Sequence, residues 1–593
     1  MSKTSKVFLI LGGIVFALVL VAIIGIALIV GTVGKPDVPE NSVLVLNVSG
    51  DLPDYDPPDP MAKALGFDQP ESFSSLLLQL RKAKADSRVG AVLLDINFPG
   101  IGWGKSDELR EAIKDFRASG KPVYAFMEIG SNREYYIATA ADKIFVPPAG
   151  DIYINGLAAD VMFYGGSLEK LGVQPEVIQI GKYKNAPDQF TRKEMSDAHR
   201  EVINAILDDY YTRIINTIAE SRKKSPEDVK AIMDNAPYNA NKAKELGLID
   251  GAAFRDQVHE ELKNQLGYKT EDDLRTVSQS DYREVSPDSL GLNNGERIAV
   301  IYASGGINTG KSNKSPFGGQ TVGSDTIVKA VDEAAKDDSI KAIVLRVDSP
   351  GGSALASDLM WHAIENAKAK KPVVVSMGDV AASGGYYIAC NANKIVAEPS
   401  TITGSIGVFL GKPVMTGFYD WLGITNEYVM RGKNAGIFRE TEKWTEEERA
   451  KMQEQANNIY YDNFIPKVAA GRSKSVEEVD SLGQGRVWTG AQAKERGLVD
   501  EFGGLEKAIE IAKGLANLPA DKDVRRVSYP KPRPFFETFF GSDDDSSMKV
   551  KQQEEMIKSL PEDVRRSLRY VELLDQMKRG EGMTLLPFEL RIK

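Results

Sequence analysis

The chain repeats itself at a period close to half of its 593 residues. Matching segments occur in the same order in both halves, with starting positions about 250 residues apart. The clearest pairs are AVLLDINFPG from Ala91 with AIVLRVDSPG from Ala342, KPVYAFM from Lys121 with KPVVVSM from Lys371, and NKAKELGLID from Asn241 with AQAKERGLVD from Ala491. Chance does not preserve order and spacing over such distances, so the chain carries two copies of one domain.

Each copy alternates short apolar segments with amphipathic ones. In the second copy, AIVLRVD and PVVVSM have no polar alternation, which is typical of strands buried on both faces of a sheet. The segment between them, ASDLMWHAIENAKAK, has helical spacing and ends in lysines, which favour a helix C-terminus. Strand, helix, strand in this order predicts a parallel crossover, so the fold class is α/β. Ser225 before Pro226, and Thr445 with Glu448, predict two helix starts.

Composition shifts divide the chain into five parts. We assign a cytoplasmic tip and membrane anchor to 1–36, the first copy to 37–264, a polar linker to 265–296, the second copy to 297–529 and a tail to 530–593. The tail is rich in proline, then acidic, and ends in the apolar segment MTLLPFEL, to which the sequence assigns no role.

The N-terminus contains a long apolar run, because no residue from Val7 to Val33 is charged. A helix of about 20 apolar residues spans a bilayer, whereas the apolar region of a signal peptide has only about 7–15. Lys3 and Lys6 precede the run, so the positive-inside rule predicts a cytoplasmic N-terminus and an exported remainder. The sequence therefore predicts one transmembrane helix, with a long cleaved signal peptide as the alternative.

Composition excludes some classes of function. The formal net charge of -10 disfavours nucleic-acid binding, which needs a basic face. Cys390 is the single cysteine, so no intrachain disulfide can form. His199, His259 and His362 lie far apart in the sequence and do not suggest a zinc site. We expect no metal and no cofactor.

The two copies differ at a serine. TITGSIGV in the second copy faces DIYINGLA in the first, which places Ser405 opposite Ile154 and Gly407 opposite Gly156. The first copy thus keeps the turn glycine without the hydroxyl, so the turn does not need a serine to form. This favours a chemical role for Ser405 as a nucleophile, with a turn serine as the alternative.

Acyl transfer at a serine also needs an oxyanion hole. Gly351 and Gly352 follow a predicted strand and a proline, and without side chains their N–H groups can approach a carbonyl oxygen. A tight strand-to-helix turn explains the same two glycines without any chemistry.

The residue that would remove the proton from such a serine is harder to identify. The three histidines are explained as surface or helix-face residues, and a lysine can replace histidine if burial lowers its pKa. GKYKNA in the first copy contains Lys182 and Lys184, and RGKNA in the second contains Lys433. Lys182 aligns with Lys433, whereas Lys184 faces Ala435. From the residues alone, all three lysines remain candidates.

Five motifs together identify a family resemblance: SPGGSA, MGDVAASGGYYIA, STITGSIGV, GKYKNA and RVWTGAQAKERGLVD. They resemble the signal peptide peptidase A family in its long, duplicated, membrane-anchored bacterial form. The resemblance implies a tandem Clp-protease/crotonase-like α/β fold and Ser/Lys catalysis. It implies Ser405 as the nucleophile, Lys184 of the Tyr183-Lys184 motif as the base and Gly351 as an oxyanion donor, to which we add Gly352.

The resemblance also implies partners and a location. Members assemble as bowl-shaped homotetramers with an apolar interior and degrade remnant signal peptides at the bacterial inner membrane. We therefore expect a single-pass protein whose catalytic part is periplasmic and whose peptide substrate binds extended, adding a strand to an exposed sheet edge. Two other functions stay open: an acyl-CoA enzyme, because such folds host thioester chemistry, and a non-catalytic membrane scaffold.

Overall fold

The computed structural model describes residues 37–56, 71–315, 319–530, 582–586 and 591–592. Within these ranges, no helix has the length and hydropathy needed to cross a bilayer. The predicted transmembrane helix, residues 7–33, lies outside the described residues.

In the first copy and the segment that follows it, short strands alternate with helices. The strands are β1 (Ser42–Asp51), β2 (Val89–Gly100), β3 (Val123–Phe126), β4 (Ile129–Ser131), β5 (Lys143–Val146), β6 (Asp151–Tyr153), β7 (Ala159–Asp160), β8 (Gln174–Ile180), β9 (Tyr238–Asn239), β10 (Gly251–Ala252) and β11 (Thr276–Ser278). The helices are α1 (Phe73–Ala85), α2 (Trp103–Arg117), α3 (Asn132–Ala138), α4 (Gly165–Lys170), α5 (Asp188–Thr191), α6 (Asp197–Arg222), α7 (Pro226–Asp234), α8 (Ala240–Glu245), α9 (Arg255–Gln265) and α10 (Gln279–Arg283), followed by the 3-10 turn Pro287–Leu290.

The second copy and the tail continue the same alternation. Their strands are β12 (Arg297–Ser304), β13 (Gly306–Asn308), β14 (Lys314–Ser315), β15 (Gly319–Gly323), β16 (Ile340–Ser349), β17 (Gly351–Ser353), β18 (Val373–Ala382), β19 (Lys394–Ala397), β20 (Ile402–Gly404), β21 (Val408–Val414), β22 (Val487–Thr489), β23 (Glu501–Phe502), β24 (Arg525–Tyr529), β25 (Met583–Leu585) and β26 (Arg591–Ile592). The helices are α11 (Ser324–Lys336), α12 (Ala354–Lys368), α13 (Gly384–Ala389), α14 (Thr416–Leu422), α15 (Glu446–Asn457), α16 (Ile465–Arg472), α17 (Val476–Leu482), α18 (Gly490–Glu495) and α19 (Leu505–Leu515), with a π-helical segment at Asn458–Phe464.

The central sheets of the two copies have the same strand order. The first sheet runs β10-β5-β3-β2-β1-β11, and every neighbouring pair is parallel. The second contains the corresponding path β23-β19-β18-β16-β12-β24, also parallel throughout. The apolar runs of β2 and β16 are almost continuously buried, as strands covered on both faces require. The chain is therefore a tandem duplication of one mixed α/β domain.

The local signals in the sequence correspond to real helix starts. The Ser225 side chain accepts a hydrogen bond from the Asp228 backbone N–H at the start of α7. At the start of α15, Thr445 and Glu448 each accept from the other's backbone N–H. Both predicted starts are confirmed. The helix predicted between the two second-copy strands is also confirmed, because α12 connects β16 to the parallel strand β18.

Two stretches outside the repeats add strands to the sheets. The predicted linker, 265–296, contributes β11 to the edge of the first sheet and α10 beside it. The predicted tail, 530–593, contributes β25 and β26. The linker and the tail are therefore integrated with the two copies in the described residues.

A third sheet joins the copies, with strand order β14-β15-β13-β17-β25-β21-β8. Its strand β8 belongs to the first copy and pairs antiparallel with β21 of the second over the full length of both strands. Because of this pairing, the first-copy residues that follow β8 begin next to the second copy.

Buried ion pairs hold the same interface together. Arg346 of the second copy lies 3.0 Å from Asp54 and 2.7 Å from Glu108 of the first. Lys105 of the first copy lies 2.7 Å from Asp348 of the second. Arg346 and its two carboxylate partners are almost completely buried, so removing one charge would leave its partners uncompensated. The two copies are therefore docked in one fixed arrangement.

Candidate active site

Ser405 lies on a tight turn between β20 and β21. Its backbone has a φ of 51°, a left-handed conformation that is rare for a residue with a side chain. The turn is held because the Ser405 N–H donates to the Arg486 carbonyl over 2.7 Å. The side chain is completely buried. A non-glycine residue held in such a conformation and buried is a feature that clusters at functional sites.

Lys184 reaches this serine from the other copy. It lies four residues after β8, and its Nζ is 3.0 Å from Ser405 Oγ and 3.2 Å from the Ser405 carbonyl oxygen. A third contact joins Lys184 Nζ to Ser383 Oγ at 2.7 Å. The structure thus brings together the two residues that the sequence analysis chose as nucleophile and base.

The surroundings of Lys184 favour its neutral form. The side chain is completely buried, and this burial alone holds its pKa well below the ordinary value of 10.5. A neutral amine has a lone pair that can accept a proton, whereas an ammonium group cannot. The pair therefore joins a hydroxyl to an amine whose neutral form is favoured by burial.

Ser383 is a site residue that the sequence analysis missed. It directly follows strand β18 and has a φ of 55°. Its N–H donates to the Gly404 carbonyl over 2.8 Å. Its hydroxyl is completely buried against Lys184. A signal existed in the repeat: aligned on the shared tyrosine pair of the two copies, Ser383 faces Asn132. The same comparison of copies that singled out Ser405 would have found it.

Glycines of the second copy allow Lys184 to enter. A Cβ placed on Gly485 would lie 2.5 Å from the backbone N and Cα of Lys184, and one on Gly407 would lie 3.1 Å from its Cδ. Gly485 also has a φ of 74°. Nearby, the Tyr183 N–H donates to the Gln484 carbonyl over 2.7 Å, which fixes the lysine segment against this loop. The loop around Gly485 therefore packs against the backbone of Lys184 and positions it.

The glycine pair lies at the start of the third sheet's strand β17. Gly351 has a φ of 96° and its N–H donates to Ser349 Oγ over 3.1 Å. Gly352 pairs with Ile307 of β13, and a Cβ there would lie 2.1 Å from the Ile307 carbonyl oxygen. Neither position can hold a side chain, and a Cβ on Gly351 would also lie 2.7 Å from the backbone nitrogen of Gly384, which follows Ser383 and begins α13.

Comparison with known proteins relates both copies to one peptidase family. The family model described as peptidase family S49 matches residues 115–269 and 365–519, once in each copy. The chloroplastic serine protease SPPA of Arabidopsis thaliana is 38% identical over 494 residues, 83% of this chain and 72% of its own. Protease 4 of Salmonella typhi is 35% identical over 521 residues, 84% and 82% of the two chains. The chain belongs to peptidase family S49.

A third relative is similar to part of this S49 peptidase. A candidate signal peptide peptidase SppA of Enterococcus faecium is 34% identical over 222 residues, 37% of this chain and 63% of its own. Membership of the family makes the protein a serine protease. The family therefore favours neither of the two alternative functions raised from the sequence, the acyl-CoA enzyme and the non-catalytic scaffold.

The structure places the other candidate bases of this S49 peptidase away from Ser405. Lys182 is exposed, and its Nζ lies 3.3 Å from the Tyr183 hydroxyl. Lys433 is exposed and forms an ion pair with Glu447. His199 is completely buried in α6, where desolvation lowers its pKa to about 4. Of the candidate lysines, Lys184 alone contacts the serine.

The first copy keeps the shape of the site without its chemistry. Ile154 is completely buried at the position of Ser405. Asn132, at the position of Ser383, donates from its amide to the Gly156 carbonyl over 2.9 Å. The first copy therefore has neither of the two hydroxyl groups that Ser405 and Ser383 place beside Lys184 in the second.

Proposed function

We propose that this S49 peptidase cleaves peptides with a Ser405/Lys184 dyad, the nucleophile from one copy and the base from the other. The observation that carries the proposal is the 3.0 Å contact between Lys184 Nζ and Ser405 Oγ, completely buried and with the lysine pKa lowered by burial. A hydroxyl next to a neutral amine is the arrangement that nucleophilic catalysis requires.

In this mechanism Lys184 accepts the Ser405 proton while Oγ forms a bond to the peptide carbonyl carbon. The carbonyl oxygen becomes an oxyanion, to which the N–H groups of Gly351 and Gly352 donate, Gly351 giving up its present bond to Ser349 Oγ. Collapse of the intermediate breaks the C–N bond, and Lys184 passes its proton to the leaving amine. Water then hydrolyses the ester by the reverse use of the same groups, with Lys184 again as base.

We propose that Ser383 positions the lysine. Its hydroxyl lies 2.7 Å from Lys184 Nζ, the atom that also contacts Ser405 Oγ. A rotating ammonium or amine group has several low-energy positions, and a second hydrogen bond at its tip reduces them to the one that faces Ser405.

We propose remnant signal peptides as the substrates and the bacterial inner membrane as the location. The Enterococcus faecium relative named above supports the substrate class, and the uncharged run from Val7 to Val33 supports a single anchor with a cytoplasmic N-terminus and a periplasmic catalytic part. Cleaved signal peptides are apolar and stay in the membrane, so an anchored peptidase would meet them there.

We further propose a homotetramer. By the repeat, residues 425–431 of the second copy correspond to β8, yet within the described chain they form no strand. Exposed apolar side chains lie in this stretch and just before it, with Val429 88% accessible and Trp421 of α14 73% accessible. A second chain can cover this edge with its own residues 157–163, which correspond to β21, so that the β8–β21 pairing recurs from chain to chain.

The dyad is tested by peptide hydrolysis with Ser405→Ala and Lys184→Ala. Each substitution removes one reacting group, so kcat falls by more than about a thousandfold while the fold is kept. Lys182→Ala is the matched control, since this neighbouring lysine is exposed, and it retains normal turnover. Near-normal turnover of either dyad variant removes that residue from the mechanism.

A further inference from the structure

A short loop before β22 is bonded on both sides of the proposed dyad through its backbone. Its Arg486 carbonyl accepts a hydrogen bond from the Ser405 N–H over 2.7 Å. Its Gln484 carbonyl accepts one from the N–H of Tyr183, also over 2.7 Å, and Tyr183 directly precedes Lys184. A single residue separates the two carbonyls, so a movement of this loop displaces the nucleophile and the base together.

The side chain of Arg486 anchors the loop at the boundary between the copies. Its guanidinium carbon lies 4.7 Å from the centre of the Tyr183 ring of the first copy and 4.6 Å from that of the Trp488 ring of the second. The same guanidinium forms an ion pair with Glu201, which lies on α6 of the first copy. Within the described chain, the buried Nε of Arg486 has no hydrogen-bond partner. The two rings and the carboxylate therefore determine where this side chain lies.

The contacts on the first-copy side close on themselves. The Tyr183 hydroxyl donates to the Glu201 carboxylate over 3.2 Å, and this is the carboxylate that pairs with Arg486. The hydrogen bond from Arg486 holds the pKa of Glu201 below its ordinary value of 4.5, so the carboxylate is ionised at neutral pH. Ring, guanidinium and carboxylate thus contact one another in turn, and Tyr183 is held by its side chain as well as by its N–H.

On the second-copy side, Trp488 connects the guanidinium to the serine turn. The indole is buried, and its N–H donates to the Leu482 carbonyl over 3.1 Å. In the antiparallel pair of β22 with β20, Trp488 stands opposite Thr403. A Cβ on Gly404, the residue before Ser405, would lie 2.8 Å from Cδ1 of this indole. The ring that contacts Arg486 therefore also packs against the backbone that leads into the nucleophile.

We infer that Arg486 is a positioning residue, whose side chain holds Lys184 and Ser405 at their working distance. The inference rests on the proposed function, because it takes these two residues as base and nucleophile. They are 221 positions apart in the chain and come from different copies, so non-covalent contacts fix the 3.0 Å between their reacting atoms. Arg486 joins the neighbours of both residues through one planar group. It acts through Tyr183 and Trp488 and not on the substrate.

Arg486→Gln tests the role of the side chain, because the backbone carbonyl that accepts from Ser405 stays in place. The loop loses its contact with Tyr183 and Glu201, so the dyad loosens and kcat for an apolar peptide falls at least about tenfold. KM stays within about twofold, because the substituted group does not bind substrate. A purely stabilising ion pair predicts the opposite pattern, with a lower melting temperature and unchanged kcat. A folded Arg486→Gln protein with normal kcat overturns the inference.

Arg496→Gln is the matched control. The Arg496 guanidinium lies 4.0 Å from the centre of the same Trp488 ring, and its hydrogen bonds in the described chain go to Gln492 and Glu495 of the second copy. This arginine shares the stacking contact and has no such link to the first copy. It therefore keeps normal kcat, and an equal loss of kcat in both variants overturns the specific role of Arg486.

A double-mutant cycle tests the coupling between the copies. Tyr183→Leu removes the ring against which Arg486 packs, so kcat falls at constant KM as it does in Arg486→Gln. Because both substitutions break the same connection, the double variant is no slower than the slower single variant. Losses that multiply would show that the two side chains act independently and would overturn the inference.

A surface variant covers the case in which Arg486→Gln does not fold. Glu201 is half-exposed, so Glu201→Gln removes the ion pair without a change in the core. kcat falls severalfold at constant KM, whereas normal kcat overturns the part assigned to the ion pair and with it the inference. The dyad is judged separately by Ser405→Ala and Lys184→Ala. If both of these are inactive and the Arg486 and Glu201 variants are normal, the positioning role fails and the proposed function stands.

Discussion

Gly485→Ala tests how the second copy positions Lys184, the proposed base, of the first. The added Cβ would lie 2.5 Å from the backbone N and Cα of Lys184 and equally close to its Cβ. Carbon atoms in ordinary contact are about 3.5–4.0 Å apart, so the two backbones must separate by roughly 1 Å. Backbone atoms cannot rotate out of the way as the tip of a flexible side chain can.

The displacement decides the expected size of the effect. Lys184 Nζ is 3.0 Å from Ser405 Oγ, and a 1 Å shift carries it to about 4 Å, beyond hydrogen-bonding distance. A misplacement of about 1 Å can cost roughly a hundredfold in rate. We expect kcat to fall by about this factor. A left-handed alanine also costs about 1–2 kcal/mol, so the melting temperature falls by a few degrees while the protein stays folded.

The assay is steady-state hydrolysis of an apolar peptide, with thermal unfolding followed in parallel. Gly514→Ala is the matched control, because no atom lies within 4 Å of a Cβ at this position in α19. It keeps normal kcat and does not lower the melting temperature. A folded Gly485→Ala protein with kcat within twofold of normal would refute the role of this loop in positioning Lys184.

Four further outcomes follow from the same contacts. Ser383→Ala removes the 2.7 Å contact to Lys184 and lowers kcat about tenfold at constant KM; an equal change in KM would instead indicate substrate contact. kcat/KM rises with pH as Lys184 loses its proton and levels off well below pH 10.5, and a profile still rising there would contradict a lowered pKa. Arg346→Met removes the cation that two buried carboxylates share, so the free energy of unfolding in urea falls by about 3–5 kcal/mol; an unchanged midpoint argues against the network. Val429→Asp reduces the mass measured by light scattering, whereas an unchanged mass would remove this edge from the subunit interface.

The sequence predicts the architecture well because its signals are local. Apolar runs such as those of β2 and β16 identify buried parallel strands, and the caps at Ser225 and Thr445 identify helix starts. The duplication adds a second kind of information, since each copy serves as a reference for the other. Ser405 is recognisable for this reason, because the first copy forms the same turn with an isoleucine.

Contacts between distant segments are not visible in the same way. Gly485 reads as an ordinary turn glycine in GQGRVW, and only the folded chain shows that Lys184 packs against it. From the residues alone the three lysines stayed open, because no single motif reports the complete burial that the folded chain gives to Lys184. The tail segment MTLLPFEL has apolar composition but no periodicity, and only the folded chain shows that Met583–Leu585 within it forms a strand between β17 and β21. Which strand fills an open edge is a property of the assembled sheet.

Division of the proposed dyad between the copies explains how burial favours the neutral form of Lys184. Lys184 is desolvated by atoms of both copies, so separating them would hydrate it and return its pKa towards 10.5. Between the lowered pKa and 10.5 the folded chain binds fewer protons than the unfolded chain, so this lysine's contribution to the free energy of unfolding increases as pH rises through that window. At neutral pH its burial is unfavourable, and the interface must offset it. The β8–β21 ladder and the Arg346 ion pairs supply that offset, which means that docking of the copies and activation of the base are one event.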